Sequence, residues 1–168
     1  FEQDGKTDYY NADGQSLLTQ FITQYEMECL EKAIGYELAA GLVANIASPD
    51  DKWKDLRDGV EFTDSRDRLT KWIGFKNETT KISPIANYVY YQFLKDGVTD
   101  IAMIGAVQPK GENADRVYPQ LKLQEAWNRM VDMFRILHDY LRQHPETYPE
   151  FTYHRPMGIV KKINQFGI

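Results

Sequence analysis

A chain of 168 residues, 42% hydrophobic and 27% charged, is long enough to bury a core and too apolar to stay disordered, so one folded domain is expected. A formal net charge of −5 argues against a protein that grips phosphate backbones, which needs clustered Lys and Arg. No run approaches the roughly 18–20 apolar residues that cross a bilayer, and the single Cys29 leaves no internal disulfide or cysteine-based zinc site.

In chain order, residues 1–13 are polar and read as an extended arm or loop. Because the chain opens on Phe1 rather than Met, some residue ahead of it is expected to have been lost. From about Gln15 to Ala33, Leu17, Leu18, Phe21, Ile22, Tyr25, Cys29, Leu30 and Ala33 recur at steps of three and four, the period of a helix with one buried stripe. Cys29 falls on that stripe, where a buried, inert thiol compatible with a reducing compartment is the expectation. Gly35 ends this helix, and a second, more apolar one covers Tyr36 to Ile46. Ser48-Pro49-Asp50-Asp51 reads as a helix start with Ser48 as the cap, and the short helix that follows ends near Gly59.

The period then changes. Val60-Glu61-Phe62-Thr63 and Arg68 to Ile73 are β-branched and aromatic, with polar Asp64-Ser65-Arg66-Asp67 between them, which predicts a β-hairpin. Two strands alone are marginal in water, so Trp53, Trp72 and Phe75 are expected to pin the hairpin to the helices. Ser83 and Pro84 open the next helix, which runs to about Asp96-Gly97 and is apolar or aromatic almost all the way round. Such a helix must be surrounded, so some of Tyr88, Tyr90 and Tyr91 are expected to face another subunit. Residues 100–111 carry little pattern. Pro119 to Gln143 is the clearest amphipathic segment, with Leu123, Trp127, Met130, Val131, Phe134, Leu137 and Leu141 on one face. Beyond it, residues 145–168 are too apolar for a loose tail and too broken by Pro149, Pro156 and Gly158 for a helix, so they dock on their own domain or on a neighbour.

These elements make a mainly α protein: a small bundle of four to five helices over residues 1–144, one inserted β-hairpin near 60–75, and an irregular C-terminal arm over 145–168. Catalytic, cofactor and metal constellations are not evident. His138 and His144 are six residues apart, roughly 240° around a helix, and His154 lies in the arm, so they do not share a metal face. Glu26, Glu28 and Glu31 crowd one helix and read first as a solvated acidic face, with acid–base work as the rival reading. Phosphate-cradling glycine loops and a Gly-x-Ser-x-Gly elbow are absent from the sequence. Three tryptophans and eleven tyrosines suit base stacking only beside a basic groove, although aromatics near acids also suit sugars.

Four segments carry a family likeness in order and spacing. They are Phe21-Ile22-Thr23-Gln24-Tyr25-Glu26 leading into Leu30 and Ile34-Gly35-Tyr36-Glu37-Leu38; Trp53-Lys54-Asp55-Leu56-Arg57-Asp58-Gly59; Lys71-Trp72-Ile73-Gly74-Phe75; and Ser83 through Leu94. With the helix around Trp127 they cover about residues 15–143, and on them the chain resembles the head–tail connector (adaptor) proteins of tailed phages and prophages, particularly versions carried by Bacteroidetes. The resemblance implies a structural virion protein, not an enzyme. Its subunits form a ring under the portal, commonly dodecameric, that extends the DNA channel and docks the next tail or stopper component. It implies no cofactor, no specific nucleic-acid binding and no membrane, residence in the virion and in the host cytoplasm during assembly, and an isolated subunit that is able to remain monomeric. The interface is expected at Trp72, Phe75, Tyr88, Tyr90 and Tyr91, and in the arm at Phe151, Tyr153, Met157, Ile159, Val160, Ile163 and Phe166. On that reading the arm reaches the portal, and deleting residues 148–168 leaves a folded domain that no longer binds it. A non-viral helical interaction or sugar-binding module and, further off, a small hydrolase using the Glu26, Glu28 and Glu31 acids are the alternatives.

Overall fold

Hydrophobic stripes at helical spacing dictate most of the architecture. The computed structural model describes residues 6–76, 81–103, 119–151 and 158–164. Among these the elements are α1 (Lys6–Ile34), α2 (Tyr36–Asn45), α3 (Asp51–Asp58), β1 (Val60–Thr63), β2 (Leu69–Trp72), α4 (Pro84–Met103) and α5 (Pro119–Gln143), followed by a 3-10 turn at Pro149–Phe151. The protein is a small, mainly helical bundle with an inserted antiparallel hairpin, the fold class the residue pattern predicts.

The predicted amphipathic helix is α5, and its stripe is the spine of the core. Met130, Val131, Phe134 and Leu137 are fully buried, each worth roughly 1.5–3 kcal/mol over its exposed state. α4 lies along α5 and α1. Tyr91 packs on Trp127 at 4.8 Å between ring centroids, and Phe93 meets Phe21 edge-on at 5.4 Å. The Ser83 hydroxyl accepts the Ile85 N–H at 3.2 Å, so the capping role read for Ser83 holds.

Three boundaries differ from the pattern reading. α1 starts at Lys6 instead of about Gln15, because extending a formed helix gains a hydrogen bond per residue without a new nucleus, and this overrides weak formers such as Asn11 and Gly14. α4 runs through Gly97 to Met103, since an interior glycine costs only about 1 kcal/mol, so residues 100–103 of the expected connection are helical. The cap of α3 is Asp50, whose carboxylate accepts the Trp53 N–H at 3.3 Å, and not Ser48. Residues 1–5 of the expected arm and 104–111 of the expected connection lie outside the described residues.

The hairpin pairs Val60 with Trp72 and Thr63 with Leu69. Its base is locked to α3. Leu56 O accepts both the Phe75 N–H at 3.0 Å and the Trp72 indole N–H at 3.1 Å, and Arg57 O accepts the Lys76 N–H at 2.8 Å. Two glycines allow this approach: a Cβ on Gly59 (φ 97°) would lie 2.4 Å from Trp72 O, and one on Gly74 (φ 86°) 2.4 Å from Arg57 O. Trp72 meets Phe75 edge-on and Phe75 leans on Phe134 at a tilt, while Trp53 lies over Gly41 and so joins α3 to α2. At the other end the Asp64 carboxylate accepts the Arg66 and Arg68 N–H groups and the Arg68 guanidinium. Ser65 N–H donates to Asp139 of α5 at 3.0 Å, so the loop is docked as well as closed.

Residues 158–164 run back along α5. The Trp127 indole donates to Lys161 O at 2.7 Å, Asn128 exchanges two hydrogen bonds with the Ile163 backbone, and Arg135 donates to Val160 O. Tyr148, Phe151 and Ile159 are core residues. Among the described residues no helix is long and apolar enough to cross a membrane.

Candidate docking groove

Leu18, Ile22, Glu26 and Leu30 recur every fourth residue on one face of α1, and Leu42, Val43 and Ile46 end α2 on the side facing it. Ile85, Ala86, Val89 and Tyr90 of the first turns of α4 form the opposite wall, with Phe75 and Lys76 from the hairpin base at one edge. These walls enclose an open, almost wholly apolar groove of about 550 Å³. Leu30, Leu42, Phe75 and Val89 are its buried floor. Its rim is exposed: Leu18 44%, Ile22 41%, Val43 48%, Ile46 37% and Tyr90 43%. More than half of the large hydrophobic side chains exposed among the described residues therefore gather at one place, which marks a contact surface more than scattered surface apolarity does.

Polar chemistry at the groove is sparse. Glu26 is its carboxylate and forms no ion pair among the described residues. Glu28 points to a separate network: it pairs with Lys32 and accepts the Tyr88 hydroxyl at 2.9 Å, while Lys32 donates to the Tyr88 oxygen at 3.1 Å. Burial alone would raise the Glu28 carboxyl, but the hydrogen bonds from Lys32 and Tyr88 hold it below its ordinary value. Burial pushes the Tyr88 phenol up. The Glu26, Glu28 and Glu31 acids are thus not gathered around a common point, since Glu26 faces the groove and Glu28 the Tyr88 side.

A second groove, polar and about 760 Å³, lies between the hairpin loop and α5. Asp64, Asp132 and Asp139 meet Arg66, Arg68, Arg135 and Arg142 there, and Leu69 stands 79% exposed at its edge. Asp64 is neutralised by Arg68 and Asp132 by Lys162. The Arg68 side chain, and then the Arg68 and Arg66 amides, hold the Asp64 carboxyl down at about 2. Two of the three histidines serve packing: the His138 ring is buried between Phe134 and Phe151 with Nε2 2.7 Å from Ala33 O, and His144 Nδ1 sits 2.8 Å from Tyr140 O, while His154 lies outside the described residues. Among the described residues no three His, Cys, Asp or Glu side chains gather as metal ligands.

Of the expected interface residues that the structure describes, Tyr90 alone stands well exposed, on the groove rim. Trp72, Phe75, Tyr88, Phe151 and Ile159 are buried within the subunit, which corrects their assignment to an open interface: their surface is already covered by α1, α3 and α5. Tyr91 is half-buried on Trp127, and Val160 and Ile163 are half-buried where residues 158–164 follow α5. Tyr153, Met157 and Phe166 lie outside the described residues. The described part of the arm is therefore a component of its own domain, not a projecting limb, and the expectation that deleting residues 148–168 leaves a folded domain is corrected, because the deletion takes Tyr148, Phe151 and Ile159 out of the core. Leu18, Ile22, Val43 and Ile46 are the surface that the residue pattern missed, because periodicity gives them to a helix face without saying whether anything covers it. Compared with protein-family models, curated proteins and solved structures, the chain has no match.

Proposed function

We propose that this chain is a structural virion subunit, a head–tail connector that assembles as a ring beneath a phage or prophage portal and offers a docking surface to the next tail component. The apolar groove between α1, α2 and α4 carries the reading. An open surface of Leu, Ile, Val and Tyr side chains on an otherwise charged, mainly helical subunit is suited to burial against another protein chain. The ordered resemblance over about residues 15–143 supplies the kind of assembly. Heterologous contacts between identical subunits close into a ring when the rotation per subunit divides a circle. Function on this reading is surface complementarity, and an acidic subunit (net charge −5) suits a channel wall along which DNA must slide without being held.

The test is to mix the protein with the portal protein of the same genome and image the product by electron microscopy. A symmetric collar of added density coaxial with the portal is expected. Bare portals at saturating subunit concentration would overturn the connector reading.

A further inference from the structure

We infer that the face of α5 carrying Trp127, Asn128, Asp132 and Arg135 is a slot for an extended chain, filled within the subunit by residues 158–164 and, through the same bonds, by residues 158–164 of a second copy. The inference stands apart from the connector reading, because it concerns how two copies of this chain join and not what they join to.

The slot reads main chain. The Trp127 indole donates to Lys161 O at 2.7 Å, and Asn128 donates to Ile163 O at 2.9 Å while accepting the Ile163 N–H at 2.8 Å. Arg135 Nε and Nη2 donate to Val160 O at 3.2 and 3.0 Å. The two bonds exchanged between Asn128 and residue 163 are those a neighbouring strand would offer, supplied here by one amide side chain on a helix. The spacing suits an extended occupant. Asn128 and Arg135 are seven residues apart, about 10 Å along the helix, and they hold carbonyls three residues apart, which an extended chain separates by about the same length. The segment runs antiparallel to α5, with Lys162 paired to Asp132 between the two clamps. That pair is exposed, 44% and 54%, so it marks register more than it adds affinity. Side-chain selection is left to Ile159, which is buried, and to the half-buried Val160 and Ile163.

The occupant follows from the fit. These contacts are all made by residues 158–164, so the same segment of another copy meets identical partners, which is the condition for exchanging an element between protomers. Filling from within and filling from a neighbour differ only in the tether. The tether gives a subunit's own segment an effective concentration of the order of millimolar, and exchange sets in once neighbouring segments reach a similar concentration. The pivot is unobstructed: Gly158 has φ 83°, and a Cβ there would meet nothing within 4 Å. Phe151 stays in the core, and the seven residue steps from it to Gly158 span at most about 25 Å, which bounds how far apart exchanging subunits stand. The segment is held largely by side chains bonded to its backbone, whereas α5 beneath it is the spine of the core, so the segment opens as a unit well before the domain unfolds.

The experiment uses two full-length variants. Ile163→Pro removes the N–H that Asn128 accepts, spoiling the segment and sparing the slot, while Asn128→Ala combined with Arg135→Ala spoils the slot and spares the segment. Thermal melts verify that both fold. In sedimentation equilibrium an equimolar mixture forms one-to-one pairs at concentrations at least about tenfold below those at which either variant alone associates, because neither has its own segment competing for the slot. A synthetic peptide of residues 158–168 binds the Ile163→Pro protein and disperses those pairs, and the same peptide carrying Ile163→Pro does neither. A mixture that associates no more than its components, or pairs that the peptide leaves intact, would overturn the inference. Hydrogen exchange on wild type decides without any variant: the Ile163 amide should exchange at least about a hundredfold faster than those of Phe134 and Leu137, and equal protection overturns the inference too, since the segment would then leave only when the domain unfolds. A portal that gains no collar changes none of these results, so this inference and the connector reading fail separately.

Discussion

Gly74→Ala should be among the most damaging single-methyl additions in this protein, and Gly158→Ala, strained in its backbone but free of contacts, its milder control. Both glycines have left-handed φ, 86° and 83°. A Cβ there costs roughly 1–2 kcal/mol in either case, partly offset by the entropy removed from the unfolded chain. Their surroundings differ. Around Gly158 an added Cβ meets nothing within 4 Å, whereas at Gly74 it lands 2.4 Å from Arg57 O, 2.6 Å from Asp58 C and 2.7 Å from Gly59 N. All three are backbone atoms that a rotamer change does not move. Relief means parting the hairpin base from α3, which breaks Phe75 N–H to Leu56 O and Lys76 N–H to Arg57 O, each worth about 1 kcal/mol net. Gly74→Ala is then expected to lose about 2 kcal/mol more than Gly158→Ala, a factor of roughly 30 in the folding equilibrium. Urea denaturation of the two variants measures the difference, with unchanged m-values showing that stability alone has moved. Equal midpoints would refute the claim that backbone contact at the hairpin base is unyielding.

Three further outcomes follow from the packing and the charges. The Asp64 carboxyl is held at about 2 against an ordinary 3.8, so its stabilising contribution is complete above the ordinary value and is lost as pH falls through about 2. Arg66 and Arg68 amide resonances should accordingly hold steady down to pH about 4 and move only in the approach to 2, and a midpoint near 4 would contradict the clamp. Burial first, then the Asp55 carboxylate that accepts its proton at 2.8 Å, raises the Tyr140 phenol to about 12. The stability this contributes is present below pH 10 and lost as pH rises through about 12, and a tyrosinate absorbance titration of wild type against Tyr140→Phe should show one phenol missing from that range. Removing residues 148–168 takes Tyr148, Phe151 and Ile159 out of the core, so the truncated chain should lose cooperative melting by circular dichroism, since loss of one buried Phe alone costs about 3–5 kcal/mol of a total near 5–15. A well-folded truncation would contradict the docking of this segment.

How far the residues announce their own placement depends on whether the forces are local. α5 follows its pattern end to end because Leu123 through Leu141 form one uninterrupted stripe, and the hairpin follows from Phe62 and Trp72 facing one side across a polar turn. α3 was harder, because Ser48 and Asp50 are both good caps two residues apart and only the geometry of Trp53 N–H decides between them. The course of residues 158–164 leaves almost no mark. It is held by the backbone carbonyls of Val160, Lys161 and Ile163, which every residue possesses, and by Trp127 and Asn128, which read simply as helix-face residues. The groove is illegible for a related reason: Ile22 and Leu30 sit on the same face of α1 two turns apart, yet one is 41% exposed and the other 3%, and only the positions of α2 and α4 separate them.

A cryo-electron microscopy map of the protein assembled on its portal tests the central claim, that the groove exists to be filled by another chain. The account predicts density from a neighbouring chain covering Val43, Ile46 and Tyr90 in every subunit of the collar. A collar in which those side chains still face solvent would contradict it.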